Sequence, residues 1–136
     1  MVDYPVRLPR VLLERPPAAL ALLRGDNAYP ALMGEVLFYS YHAGCLLLIR
    51  AAGMPEDGIF PLSLHTNGDC STGGDLAFCP AGPTLAALPP LLFCAGRAWA
   101  ACALETLPAG ALTGRSVVLC HWDGRRIACG AVESFS

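Results

Sequence analysis

Residues 115–132 read Arg115-Ser116-Val117-Val118-Leu119-Cys120-His121, then Trp122-Asp123-Gly124-Arg125, then Arg126-Ile127-Ala128-Cys129-Gly130-Ala131-Val132. Two apolar runs of strand length flank an Asp-Gly pair. Asp-Gly suits a two-residue turn with positive φ, so the stretch predicts a β-hairpin joining residues 115–121 to 126–132.

The same rhythm continues outward. Fourteen glycines and twelve prolines punctuate the chain at short intervals. Between them lie short runs rich in Val, Leu, Ile, Phe and Tyr, which read as many short strands of a sandwich or barrel. The predicted strands are 18–23, 34–41, 45–51, 60–65, 91–94, 97–104, 115–121 and 126–132. Ala95-Gly96 and His42-Ala43-Gly44 read as further tight hairpins. Residues 105–113 contain Pro108 and Gly110 and read as a loop.

The chain has 136 residues, enough for one domain with a real core. Its 54% hydrophobic and 15% charged composition excludes a disordered chain. A net charge of −2 argues against a nucleic-acid footprint, which is a basic stripe. All nine basic residues are Arg, so lysine Schiff-base chemistry and a phosphate-loop lysine are excluded. No apolar run approaches the roughly 18 residues of a membrane helix. Residues 1–15 carry Asp3, Glu14 and two prolines rather than a basic start and an unbroken apolar stretch. The expectation is therefore a cytoplasmic protein, a single domain over 1–136 with 1–16 as an N-terminal extension. In a reducing cytosol its seven cysteines would be small buried hydrophobes. That reading takes Cys45, Cys79, Cys94 and Cys102 as core fillers, and Trp99 and Trp122 as packing residues.

Gly114-Arg115-Ser116-Val117-Val118-Leu119, followed by Arg126-Ile127-Ala128-Cys129-Gly130, resembles the end of copper/zinc superoxide dismutases. Asn67-Gly68-Asp69-Cys70-Ser71 with Gly73-Gly74, and Leu88-Pro89-Pro90-Leu91, resemble other stretches of that family in the right order. The resemblance covers about residues 17–132. It implies an all-β fold, an eight-stranded antiparallel Greek-key barrel with shortened metal-site loops.

The resemblance also implies a metal centre, and here the chain departs from it. Family members hold copper with four histidines, one of them bridging to a zinc bound by further histidines and an aspartate. This chain has three histidines in all, His42, His65 and His121. The family's His-x-x-His-x-His strand reads here Phe60-Pro61-Leu62-Ser63-Leu64-His65. His65 matches a copper ligand, while Ser63 stands where its neighbour should be. Asp75 stands where the bridging histidine should be. Thr84 and Ala87 stand where zinc ligands should be. Cys120 replaces the last copper histidine, with His121 one residue late and on the opposite face of a regular strand, although a bulge could re-aim it. Residues 122–125 are all that is left of the channel loop. Arg126 matches the arginine that guides superoxide, and Cys70 with Cys129 match the family disulfide.

Each candidate has a second reading. His65 is a remnant ligand or a hydrogen-bonded polar residue. Cys120 and His121 are a relocated copper site or bystanders. Asp75 is a ligand or a turn acceptor. Arg126 is an anion guide or a structural partner, and Cys70 and Cys129 are a disulfide or two thiols. The leading expectation is a non-catalytic member without metal, acting as a scaffold, a homodimer or a module that binds a protein partner. A copper-only dismutase without zinc is the second, and a copper-handling or partner-docking domain the third.

Overall fold

The computed structural model describes residues 15–70 and 81–135. Among the described residues are eight strands: β1 (Ala19–Gly25), β2 (Met33–Tyr41), β3 (Gly44–Ala52), β4 (Gly58–His65), β5 (Thr84–Phe93), β6 (Arg97–Leu104), β7 (Ser116–Cys120) and β8 (Arg126–Ser134). A single 3-10 turn, Ala109–Ala111, is the one helical piece among the described residues. No helix among them is long and apolar enough to cross a membrane.

Every pairing is antiparallel, in the order β5-β4-β7-β8-β1-β2-β3-β6. The two outermost strands, β5 and β6, are joined by a hairpin in which Cys94 and Arg97 pair. The sheet therefore comes close to closing on itself as a barrel, which protects its edges.

Alternation along the strands puts one apolar set inside. Ala21 and Leu23, Val36 and Phe38, Leu47 and Ile49, Phe60, Leu62 and Leu64, Leu91 and Phe93, Val117 and Leu119, and Ile127 all join one buried cluster. Phe60 and Phe93 meet edge to face inside it, with ring centroids 5.6 Å apart. The loop after β6 adds Ala109 and Leu112 to the same core. A smaller cluster on the outer face of β2 and β3 joins Tyr39 and Leu46 to Leu37 and Leu48.

The strand readings agree with the observed elements except at β5, which starts at Thr84 rather than at 91. Pro89 and Pro90 concealed its first half, because proline removes a ladder donor. The ladder between β4 and β5 is already interrupted there: Phe60 pairs with Leu91, and the next pair is Leu62 with Leu88. Pro61, Pro89 and Pro90 all fall in that irregularity.

The turns also differ from expectation in rank. Asp123-Gly124 is not a two-residue turn. Gly124 N–H donates to His121 C=O at 2.8 Å and His121 N–H to Arg125 C=O at 2.7 Å. Only Gly124 has positive φ (92°), the pattern of a three-residue loop with a glycine bulge. The mirror-image two-residue turn is Ala95-Gly96, with φ of 53° and 81°. Cys94 and Arg97 exchange both backbone hydrogen bonds around it, at 2.9 and 3.2 Å.

Three expectations about packing need correction. Cys94 is exposed and fills no core. It sits at the mouth of the β5–β6 turn, where the strand leaves the interior. Trp99 and Trp122 are also exposed, because Trp99 alternates with the inward Ala98 and Ala100, and Trp122 rides on the β7–β8 loop. Cys45 is buried and Cys102 packs against the same core. Burial pushes the Cys45 thiol up to about 11, so it stays protonated. Cys79 lies outside the described residues.

The positive φ of Ala95 yields a prediction. A β-carbon in the left-handed region is strained, whereas asparagine is tolerated there and Asn-Gly is the preferred pair for this turn. Ala95→Asn is expected to stabilise the protein by about 1 kcal/mol, read as a higher urea midpoint at unchanged slope.

Candidate functional site

The positions singled out on β4 and β7 share the outer face of the sheet. Leu62, Leu64, Val117 and Leu119 point inward, so Ser63, His65, Val118 and Cys120 point outward. The chain after β4 returns over this face. Thr66 N–H donates to Pro83 C=O (3.1 Å), Asn67 N–H to Ala81 C=O (2.8 Å), and Arg115 Nη1 to Thr66 C=O (3.1 Å). Under this cover His65 is buried, and its cross-strand neighbour Ser116 is fully buried.

His65 uses both ring nitrogens. Nδ1 lies 2.9 Å from the Gly82 carbonyl oxygen, and Nε2 lies 2.8 Å from Ser63 Oγ. A carbonyl only accepts, so Nδ1 carries the proton; in the neutral ring Nε2 then accepts from the Ser63 hydroxyl. Ser63, which stands where the resemblance expects a ligand, serves as a partner of the remaining histidine. Ser116 Oγ, on the adjacent strand, has no hydrogen-bond partner.

Cys120 is half-buried on the same face. It packs with Val118, Ala81 and the Cys70–Cys129 pair. Cys70 and Cys129 are at disulfide distance, with Cα atoms 5.9 Å apart and a sequence separation of 59. Their link ties the chain after β4 to β8. Arg126 pairs with Cys120 across the β7–β8 ladder. Burial raises the Cys120 thiol above its ordinary value, and the Arg126 charge opposes this in part. The thiol is thus the form present at neutral pH, a weak nucleophile and a weak ligand. Asp75 lies outside the described residues.

His121 belongs to a different place. A register shift does fall between Leu119 and Cys120, yet His121 is not turned toward His65. His65 pairs with Ser116, five residues before His121, or roughly 17 Å along the strand at the usual rise. His121 caps the other end of the barrel, where its ring meets Phe60 at 5.6 Å and Trp122 at 5.0 Å. Its Nε2 is 3.5 Å from Glu56 Oε1 and its Nδ1 3.5 Å from Asp123 Oδ1. Tyr29 OH donates to Glu56 Oε1 at 3.1 Å, and Arg125 Nη2 donates to Tyr29 OH at 3.4 Å. Burial, and then the hydrogen bond to Glu56, raises the Tyr29 phenol above its ordinary value. The Arg125 backbone N–H holds the Asp123 carboxyl below its own. His42 lies apart from both groups, in the β2–β3 turn against Tyr41.

The fold thus places Ser63 and His65 on the outer face near one end of β4, gathers Cys120 with the Cys70–Cys129 pair farther along β7 beside Arg126, and puts His121 in the loop beyond them. Among the described residues no three His, Cys, Asp or Glu side chains converge as a metal-binding group. The Tyr29, Glu56, Asp123 and Arg125 network around His121 escaped the sequence reading. Its members come from three different loops, and only the barrel's end unites them. Comparison of the chain with protein-family models and with curated proteins returns no match.

Two outcomes follow from this geometry. Ser63→Ala leaves a buried ring nitrogen without its partner and is expected to destabilise by about 1–3 kcal/mol. Ser63→Thr should restore most of that loss, both read by urea unfolding. Breaking the disulfide with Cys70→Ser releases a loop of nearly sixty residues and should lower stability by about 4 kcal/mol under oxidising conditions.

Proposed function

We propose that this protein is a superoxide dismutase-like barrel that retains the scaffold of the copper/zinc family without its chemistry, and that it works as a binding module. The observation that carries the reading is the double engagement of His65 by Ser63 and Gly82. A copper ligand needs a free lone pair on its imidazole. Here one ring nitrogen holds a proton for a carbonyl and the other faces a hydroxyl. Among the described residues the remaining donors do not assemble into a cage. Cys120 is held as a thiol, and His121 caps the opposite end of the strand pair. The donors described do not fit a copper or zinc centre, so no redox step is assigned to them.

The architecture supports the family assignment. In the observed order β7 lies beside β4, and β4, β5 and β6 follow in sequence. That order supports a Greek-key reading, in which the fourth strand returns beside the first. The Cys70–Cys129 tie and the placement of Arg126 beside Cys120 agree with the family pattern. In this reading Arg126 is a structural remnant of the anion guide.

Elemental analysis of the protein after exposure to Cu(II) and Zn(II), with a superoxide-scavenging assay, tests the reading. The expected result is metal well below one equivalent and scavenging no faster than buffer. Stoichiometric copper with a visible Cu(II) band that vanishes in His65→Ala would establish a copper-only dismutase instead. Ser63→His, which puts two imidazoles on one face, is expected to raise Cu(II) affinity over the parent protein.

A further inference from the structure

Two rows of side chains cross the outer face of β1, β2, β3 and β6. The pairing register sets Arg24, Met33, Ala52 and Arg97 in one row. The next row is Leu22, Glu35, Arg50 and Trp99. Together with Leu92 of β5 they line a groove of about 820 Å³. Its apolar members face solvent: Trp99 is 72% exposed, Met33 and Leu92 63% each, and Leu22 51%. A groove whose exposed apolar side chains lie beside charged ones is suited to an interaction site, and exposed tryptophan is a common anchor of such sites.

The charges on the face say what fits it. Arg50 and Glu35 neutralise each other in an ion pair. Arg24 and Arg97 stand at the two ends of their row with no ion-pair partner among the described residues. Three strand spacings separate them, about 14 Å, with Met33 and Ala52 between. The face thus offers two cations bracketing an apolar floor. A second copy of the chain would set these like charges against each other. A fatty acid has one carboxylate and would leave one arginine unmatched.

We infer that this groove docks an acidic, amphipathic segment of a partner protein, with two carboxylates about 13–14 Å apart and apolar side chains between them. An extended segment reaches that span when its acids are four residues apart. Trp99, Leu22, Met33 and Leu92 receive the apolar side chains, and Arg24 and Arg97 receive the carboxylates. This inference names the partner for the binding-module reading and rests on it. Its failure would leave the metal and scavenging results untouched.

The test uses the full chain carrying Trp122→Phe, so that Trp99 is the sole tryptophan. Its fluorescence is titrated with the capped peptide Gly-Ser-Asp-Leu-Phe-Leu-Asp-Ser-Gly. The expected result is saturable binding that weakens with salt and by about tenfold in Arg24→Gln and in Arg97→Gln. Replacing both peptide Asp residues by Asn should weaken binding further still. Both arginine variants change exposed side chains, and circular dichroism checks that each remains folded. Equal affinity for the Asp and Asn peptides, or no saturation, would overturn the inference. So would laurate binding that depends on a single arginine. A dimer in sedimentation velocity that Trp99→Ser dissolves would assign the face to a second copy and overturn it too.

Discussion

The structure depends on one constraint: an antiparallel sheet bent nearly into a ring must sort every strand into an inward and an outward set. The period of two along each strand makes that sorting automatic once the register is fixed. Register here is fixed by tight turns at β2–β3, β5–β6 and β7–β8, and the Cys94–Arg97 pair brings the last two edges together. The inward set then fills with Phe38, Leu47, Phe60, Phe93 and their neighbours. The outward set is left to carry everything else the protein does.

The outward set is not uniform. On β4, β7 and β8 the chain after β4 folds back and buries His65 and Ser116, so polar groups there must find partners inside the protein. His65 finds two, one of them the serine two residues earlier. A metal would have to compete with both. On β1, β2, β3 and β6 the returning chain reaches only the β1 margin, and apolar side chains stay in water beside two arginines without an ion-pair partner among the described residues. One face has closed over its polar groups, and the other keeps apolar side chains exposed. That contrast is the physical basis of the proposed binding role.

His121 shows how little the local pattern fixes at strand ends. Its position just after β7 left open whether a bulge turns it toward His65. The bulge is present, yet the β7–β8 loop carries the ring to Phe60 and between the carboxylates of Glu56 and Asp123. Those carboxylates come from loops far apart in sequence, so their meeting depends on closure of the barrel and not on any motif.

The sequence by itself determined the elements. Apolar runs between glycines and prolines located all eight strands, and Ala95-Gly96 located the turn that closes the sheet, because backbone sterics act over a few residues. It also determined the scarcity of imidazoles, which is a matter of counting. It misjudged β5, since the prolines at 89 and 90 look like strand breakers until the partner strand is seen to be irregular at the same level. It misjudged Trp99 and Trp122, since a bulky apolar residue is read as core unless its face is known. Which face each side chain takes, which loops meet at an end of the barrel and which surface is left uncovered were decided only by the tertiary structure. These are relations between strands distant in sequence, and register and closure alone create them.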